Sequence, residues 1–217
     1  MSNKAFRAFL FDMDGTILSS IAAAERVWSA WARKHGLDPA TLLQTIHGVR
    51  AEDTIARQGL AGVDPRLEAE SVTAAELADM EGIDAIAGAN MFLGALPPDT
   101  WAVVTSAPRE LARRRMQAAG LPLPQVLVAA EDVASGKPSP EGYLLAARQL
   151  GVAASDCLVF EDAEAGILAA EASGASVCVI TAAHVHQASH PVHASIQDYV
   201  SLRLTEDPKG GYRLNLV

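Results

Sequence analysis

The residues able to do chemistry fall into four short runs. The first is Asp12-Met13-Asp14-Gly15-Thr16. It follows an apolar run over residues 6–11, which predicts a buried strand with the carboxylates at its carboxyl end. Two carboxylates two residues apart on a strand share a face; where the chain turns, they splay around one small site. Gly15 permits that turn. Such a pair can bind a hard cation through oxygen. It also lets one carboxylate serve as nucleophile and the other as general acid and base. An Asx-rich turn that caps a helix is the plain structural account of the same residues.

The second run, Val103-Val104-Thr105-Ser106-Ala107, ends a strand and precedes a helix beginning near Pro108. Ser106 is either a helix N-cap or a hydroxyl that grips a phosphate together with free backbone N–H groups. The third, Ser135-Gly136-Lys137-Pro138-Ser139-Pro140, holds one of only four lysines (Lys4, Lys34, Lys137 and Lys209) in a Pro-flanked turn. A lysine there neutralises an anion or a developing negative charge, although most loop lysines are simply solvated. The fourth is Phe160-Glu161-Asp162-Ala163-Glu164-Ala165-Gly166. Its acids suit the first turn of a helix, and Asp162 with Glu161 can also ligate a cation. Together the runs supply carboxylates, a hydroxyl, a cation and further carboxylates at the carboxyl ends of strands. That is the inventory of a Mg²⁺-assisted phosphoryl-transfer site.

The elements that position these runs alternate. Strands are predicted over 101–105, 126–129, 157–160 and 176–180, and helices over 88–96, 109–119, 140–150 and 163–173. This is the pattern of an α/β, doubly wound parallel sheet of Rossmann-like type. Between residues 17 and 82 the periodicity is helical throughout, with no strand signal. The division is therefore a core over 1–17 and 84–217 and a small inserted α-helical domain over 18–83. Alternating runs around Asp207-Pro208-Lys209-Gly210-Gly211 predict a C-terminal β-hairpin at a sheet edge.

The chain has 217 residues, half of them hydrophobic, with 17 Lys and Arg against 26 Asp and Glu, for a formal net charge of −9. A sizeable core is affordable, and general attraction to nucleic acid or an anionic membrane is excluded. No apolar stretch approaches the ~18 residues of a membrane span, and the first residues lack a signal-peptide pattern, so a soluble cytoplasmic protein is expected. Cys157 and Cys178 lie in apolar runs and read as small buried hydrophobes. His184, His186, His190 and His193 crowd into ten residues, a compositional hint of transition-metal binding or of a site entrance.

The order and spacing of the four runs resemble the haloacid dehalogenase superfamily across essentially the whole chain. The resemblance implies Asp12 as the nucleophile that forms an aspartyl-phosphate, and Asp14 as general acid and base. Ser106 and Lys137 would hold the phosphoryl group, with Thr105 and Ala107 beside it. Mg²⁺ would be held by Asp12, Asp14 through its backbone carbonyl, and Asp162, with Glu161 next to them. The helical insertion resembles the small cap of the sugar-phosphatase and β-phosphoglucomutase branch. Within Ile46-His47-Gly48-Val49-Arg50, His47 and Arg50 match its substrate-specificity loop. The expected activity is hydrolysis of small sugar or sugar-alcohol monophosphates by a monomer; the alternative is a β-phosphoglucomutase-like mutase. Mutases carry a His where this chain has Ala23-Ala24, which favours the phosphatase. Dehalogenases and phosphonatases lack the counterpart of Asp14.

Overall fold

The computed structural model describes residues 4–183, 192–208 and 210–216. Strand β1 (Ala8–Phe11) is buried along its whole length. The chain then forms β2 (Leu18–Ser19) and the helices α1 (Ile21–Lys34), α2 (Pro39–Leu43), α3 (Ala51–Ala56) and α4 (Pro65–Ala78). It continues through β3 (Asp84–Ala85), α5 (Ala89–Ala95), β4 (Trp101–Val104), α6 (Arg109–Ala118), β5 (Val126–Val128) and α7 (Glu141–Gln149). The last elements are β6 (Cys157–Glu161), α8 (Glu164–Ser173), β7 (Ser176–Ile180), β8 (Ala194–Ile196), β9 (Leu202–Glu206) and β10 (Tyr212–Leu216).

The main sheet is parallel, in the order β5-β4-β1-β6-β7-β8. A parallel sheet must be covered on both faces, and the alternation along β1 shows how. Phe9 and Phe11 enter an aromatic-rich core on one face, while Ala8 and Leu10 enter a smaller-residue core on the other. Phe11 stacks on Phe160 with ring centroids 4.8 Å apart, fixing β1 against β6 just below the site. Truncating a ring so enclosed costs about 3–5 kcal/mol.

The inserted helices have their own core, built around Trp28, Trp31, Leu42, Ile55 and Val72. Proline at the first position and an aspartate cap start two of them. Asp38 accepts from Thr41 N at 3.0 Å ahead of α2, and Asp64 accepts from Arg66 N at 2.9 Å ahead of α4. Ser20, at the N-cap position of α1, makes no capping bond because its hydroxyl is used in the site described below.

Three features depart from the sequence reading. The stretch expected to be wholly helical begins with β2, which pairs antiparallel with β3 and joins the helices to the sheet. A sixth strand of the main sheet, β8, pairs with β7 and occupies the edge. The C-terminal hairpin therefore does not extend that sheet. β9 and β10 pair only with each other, held to the segment before β1 by the bridge of Phe6 to Tyr212. Cys157 and Cys178 are buried free thiols. His184, His186 and His190 lie outside the described residues, whereas His193 bonds Glu171 at 2.7 Å. None of the described helices is long and apolar enough to cross a membrane.

Candidate active site

The site forms where β1, β4 and β6 end side by side. Parallel pairing places Phe11 beside Phe160, and Asp12 N donates to Phe160 O at 3.0 Å. Asp12 and Glu161 are thus brought together by register, and the loop after β5 delivers Lys137 between them. Lys137 Nζ donates to Asp12 Oδ1, to Glu161 Oε1 at 2.6 Å and to Val104 O at 3.2 Å. All three ionisable side chains are almost closed to solvent.

Glu161 is committed to protein donors on both oxygens. Tyr143 OH donates to Oε1 at 2.6 Å, and the N–H groups of Asp162 and Ala163 donate to Oε2 at 3.0 and 3.4 Å. Helix α8 makes room for this carboxylate with Gly166, where a Cβ would lie 1.7 Å from Glu161 Oε1. The geometry makes Glu161 an anchor for Lys137. Burial, reinforced by the carboxylates of Glu161 and Asp162, pushes Asp12 well above the usual carboxylate range, while Lys137 pulls it back. Burial alone would lower Lys137; Asp12 and Glu161 more than offset it, so its pKa lies above the ordinary lysine value.

Asp12, Glu161 and Asp162 offer carboxylate oxygens within 4.8 Å of one another, all buried. With Glu161 taken up by its own donors, Asp12 and Asp162 are the carboxylates of this group that fit a hard divalent cation such as Mg²⁺. Asp162 Oδ1 accepts from Thr16 Oγ1 at 2.9 Å. Gly15, at φ +90°, lets the turn press against Asp162, since a Cβ there would stand 2.0 Å from Asp162 Oδ2. The Asp14 side chain is not part of this group. It splays away, accepting from Ser20 Oγ at 2.5 Å and from Arg115 Nη1 at 3.0 Å.

The two adjacent hydroxyls part company as well. Thr105 Oγ1 accepts from Ala107 N at 3.1 Å within its own turn. Ser106 Oγ donates to Gly48 O in the inserted segment at 2.8 Å. Thr105, Ser106 and Ala107 line one cavity with Asp12, Asp14 and His47. Its volume is about 90 Å³, below the few hundred of a typical ligand site. Arg50 is not in this cavity. Its Nε bonds Asp53 Oδ2 at 2.7 Å and its Nη1 reaches the carbonyls of Val133 and Ala134, tying the insertion to the loop that carries Lys137.

Several site residues were not picked out from the sequence. Arg115 belongs to the run Arg113-Arg114-Arg115, which resembles a solvated helix face. Its spacing from Leu111 was the available signal, because both lie on the buried stripe of α6. Glu76 shares the buried stripe of α4 with Val72 in the same way. Tyr143, Thr16 and Ser20 carry no comparable signal.

A family described as haloacid dehalogenase-like hydrolase matches residues 6–174. A protein named hexitol phosphatase A, from Escherichia coli strain K12, is 40% identical over 209 residues, covering 94% of this chain and 96% of its own. A validoxylamine A 7'-phosphate phosphatase from Streptomyces hygroscopicus subsp. limoneus is 35% identical over 206 residues, covering 91% and 96%. Among solved structures, a putative phosphoglycolate phosphatase from Lactobacillus plantarum shares the fold at a TM-score of 0.76 and 22% identity, covering 89% of this chain and 96% of that one.

Proposed function

The chain belongs to the haloacid dehalogenase-like hydrolases, and from that premise we propose that it is a Mg²⁺-dependent phosphatase of small sugar or sugar-alcohol monophosphates. The observation that carries the reading is the divergence of the two aspartates. Asp12 faces Lys137 and the acidic group of β6, while Asp14 faces the cavity wall two residues away. That divergence supports Asp12 as the group that attacks phosphorus and Asp14 as the group that exchanges a proton with the departing oxygen.

In the first step an Asp12 oxygen bonds to phosphorus as the bond from phosphorus to the sugar oxygen breaks, and Asp14 gives its proton to that oxygen. In the second, Asp14 takes a proton from water, whose oxygen bonds to phosphorus and releases Asp12. Lys137 neutralises the non-bridging oxygens, held in place by Glu161, and the N–H groups opening α6 with the Ser106 hydroxyl complete the phosphate cradle. Asp12 and Asp162 with the Asp14 carbonyl would hold Mg²⁺, which supplies positive charge that keeps Asp12 ionised and offsets the phosphate dianion. The helices over 18–83 act as a cap. Closure excludes bulk water and brings His47 to the leaving group. The names of the relatives support a sugar or polyol substrate.

In a mutase a second sugar hydroxyl takes the place of water, losing its proton to Asp14 as its oxygen bonds to phosphorus and Asp12 is released. Mutases carry a His that helps position the acid/base group where this chain has Ala23-Ala24, and Ala24 lines the cavity here. The test is phosphate release from hexose, hexitol and glycerol monophosphates with Mg²⁺ and with EDTA. Mg²⁺-dependent release is expected. Isomerisation of a sugar 1-phosphate, with bisphosphate required and no release, would overturn the reading.

A further inference from the structure

Arg115 and Glu76 come from opposite sides of the cavity, one on core helix α6 and the other on inserted helix α4, and both line it with Asp14. They are nearly closed to solvent, at 5% and 7% exposure. A buried guanidinium needs acceptors for its donors, and this one has few. Nη1 bonds Asp14 Oδ1 at 3.0 Å. Nη2 lies 3.1 Å from Glu76 Oε1, near enough for an ion pair but without the alignment of a hydrogen bond, and Nε is buried with no partner. Arg115 also lines the cavity, so part of the guanidinium faces the space a ligand would fill.

We propose that Arg115 and Glu76 form a subsite for a hydroxyl on the carbon next to the ester carbon, and thereby select monophosphates of open-chain, uncharged polyols. The proposal rests on the phosphatase reading above. Arg115 grips Asp14, the group that protonates the leaving oxygen, so the first carbons beyond that oxygen lie against the pair. Arg115 offers donors and Glu76 offers acceptors side by side. A hydroxyl satisfies both, since it accepts from Arg115 while donating to Glu76. A ring ether oxygen at the same position accepts only and gives Glu76 no hydrogen bond. Arg115 is also the only lysine or arginine lining the cavity among the described residues, and it faces two carboxylates. A leaving group with a second anionic group would meet net negative charge there.

The test compares glycerol 1-phosphate with propane-1,3-diol monophosphate, which differ only in that hydroxyl. p-Nitrophenyl phosphate serves as an ester whose leaving group needs no proton. A site built to bond a hydroxyl rejects the analogue without it by a factor of about 10² or more in kcat/KM, and wild type is expected to do so. Glu76→Gln, which keeps the shape and loses the charge, should cut kcat/KM at least ten times further on glycerol 1-phosphate than on the diol ester, chiefly through KM. A wild-type ratio near one, or equal losses on both esters, would overturn the subsite while p-nitrophenyl phosphate turnover left the phosphatase standing. Failure to release phosphate from all three esters with Mg²⁺ would overturn the phosphatase reading and the subsite with it. The wild-type ratio needs no variant, so it decides the matter even if Glu76→Gln folds poorly.

Discussion

Lys137 Nζ lies 2.6 Å from Glu161 Oε1, and neither side chain is open to water. The carboxylate that holds the lysine is itself held by Tyr143 and two backbone N–H groups. The buried cation beside Asp12 therefore stands on a fixed support, which is what pre-organised charge stabilisation requires. Glu161→Gln removes the charge opposite a buried ammonium. Breaking a buried pair from one side costs about 3–5 kcal/mol, so the melting temperature should fall clearly. Turnover should fall because Lys137 loses its support, while the Mg²⁺ concentration for half-activity should move little, since both Glu161 oxygens are already used. Asp162→Asn should show the opposite balance, with a Mg²⁺ requirement raised roughly tenfold or more. Activity measured against Mg²⁺ concentration for the two variants checks this, and equal shifts would assign Glu161 to the metal after all.

Asp12→Asn should abolish turnover, with a loss of about 10⁴-fold or more, because no second group can make the bond to phosphorus. Asp14→Asn should retain some activity on p-nitrophenyl phosphate, whose leaving group departs without a proton. It should lose most activity on alkyl esters. Steady-state rates on both ester types, with circular dichroism to confirm the fold, separate the two roles. Appreciable Asp12→Asn activity on either ester would sink its assignment as nucleophile.

How far the sequence exposes this arrangement depends on what each residue answers to. β1, β4 and β6 are apolar runs ending in polar residues, and buried parallel strands require that pattern, so the strands that precede the Asp12, Thr105 and Glu161 runs are legible from the sequence. β8 is Ala194-Ser195-Ile196, too short and too polar to signal a strand; it is one because β7 offers an open edge. β2 and β3 exist only through their pairing. Arg115 and Glu76 were missed because charge argues for solvent, and each is buried by a partner distant in sequence. Arg50 was expected at the substrate; here it bonds Asp53 three residues on and reaches the carbonyls of Val133 and Ala134, contacts distant in sequence that no local pattern announces.

Gly166 and Gly94 give a paired test of that last point. Both are helical glycines, and glycine inside a helix costs about 0.5–1 kcal/mol relative to alanine. A Cβ on Gly94 meets nothing within 4 Å, so Gly94→Ala should stabilise by about that amount. A Cβ on Gly166 would overlap Glu161, whose carboxylate cannot move without releasing Lys137. Gly166→Ala should destabilise by about 1–3 kcal/mol and lower turnover. Denaturant unfolding of both variants reads the opposite signs.

The metal-free protein should carry a pH-dependent strain at Asp12 that Mg²⁺ relieves. The folded Asp12 pKa lies well above its ordinary value near 4, through burial and the neighbouring Glu161 and Asp162. Below about pH 4 the group is protonated in both folded and unfolded chains and contributes nothing. As pH rises from there through the raised folded value, the native state binds more protons than the unfolded one, so stability falls, by about 1.4 kcal/mol for each unit of difference. Carboxylates with lowered pKa values, such as Asp38, Glu68 and Glu141, contribute the opposite trend at low pH, but they lie outside the acidic group and are insensitive to the cation. The difference in melting temperature between Mg²⁺ and EDTA therefore isolates the site. It should be small near pH 4 and widen as pH rises through the raised Asp12 value, as the cation takes over the charge that Lys137 alone does not balance. Asp12→Asn should flatten that pH dependence. A difference that stays constant across the range would place the stabilising cation away from Asp12.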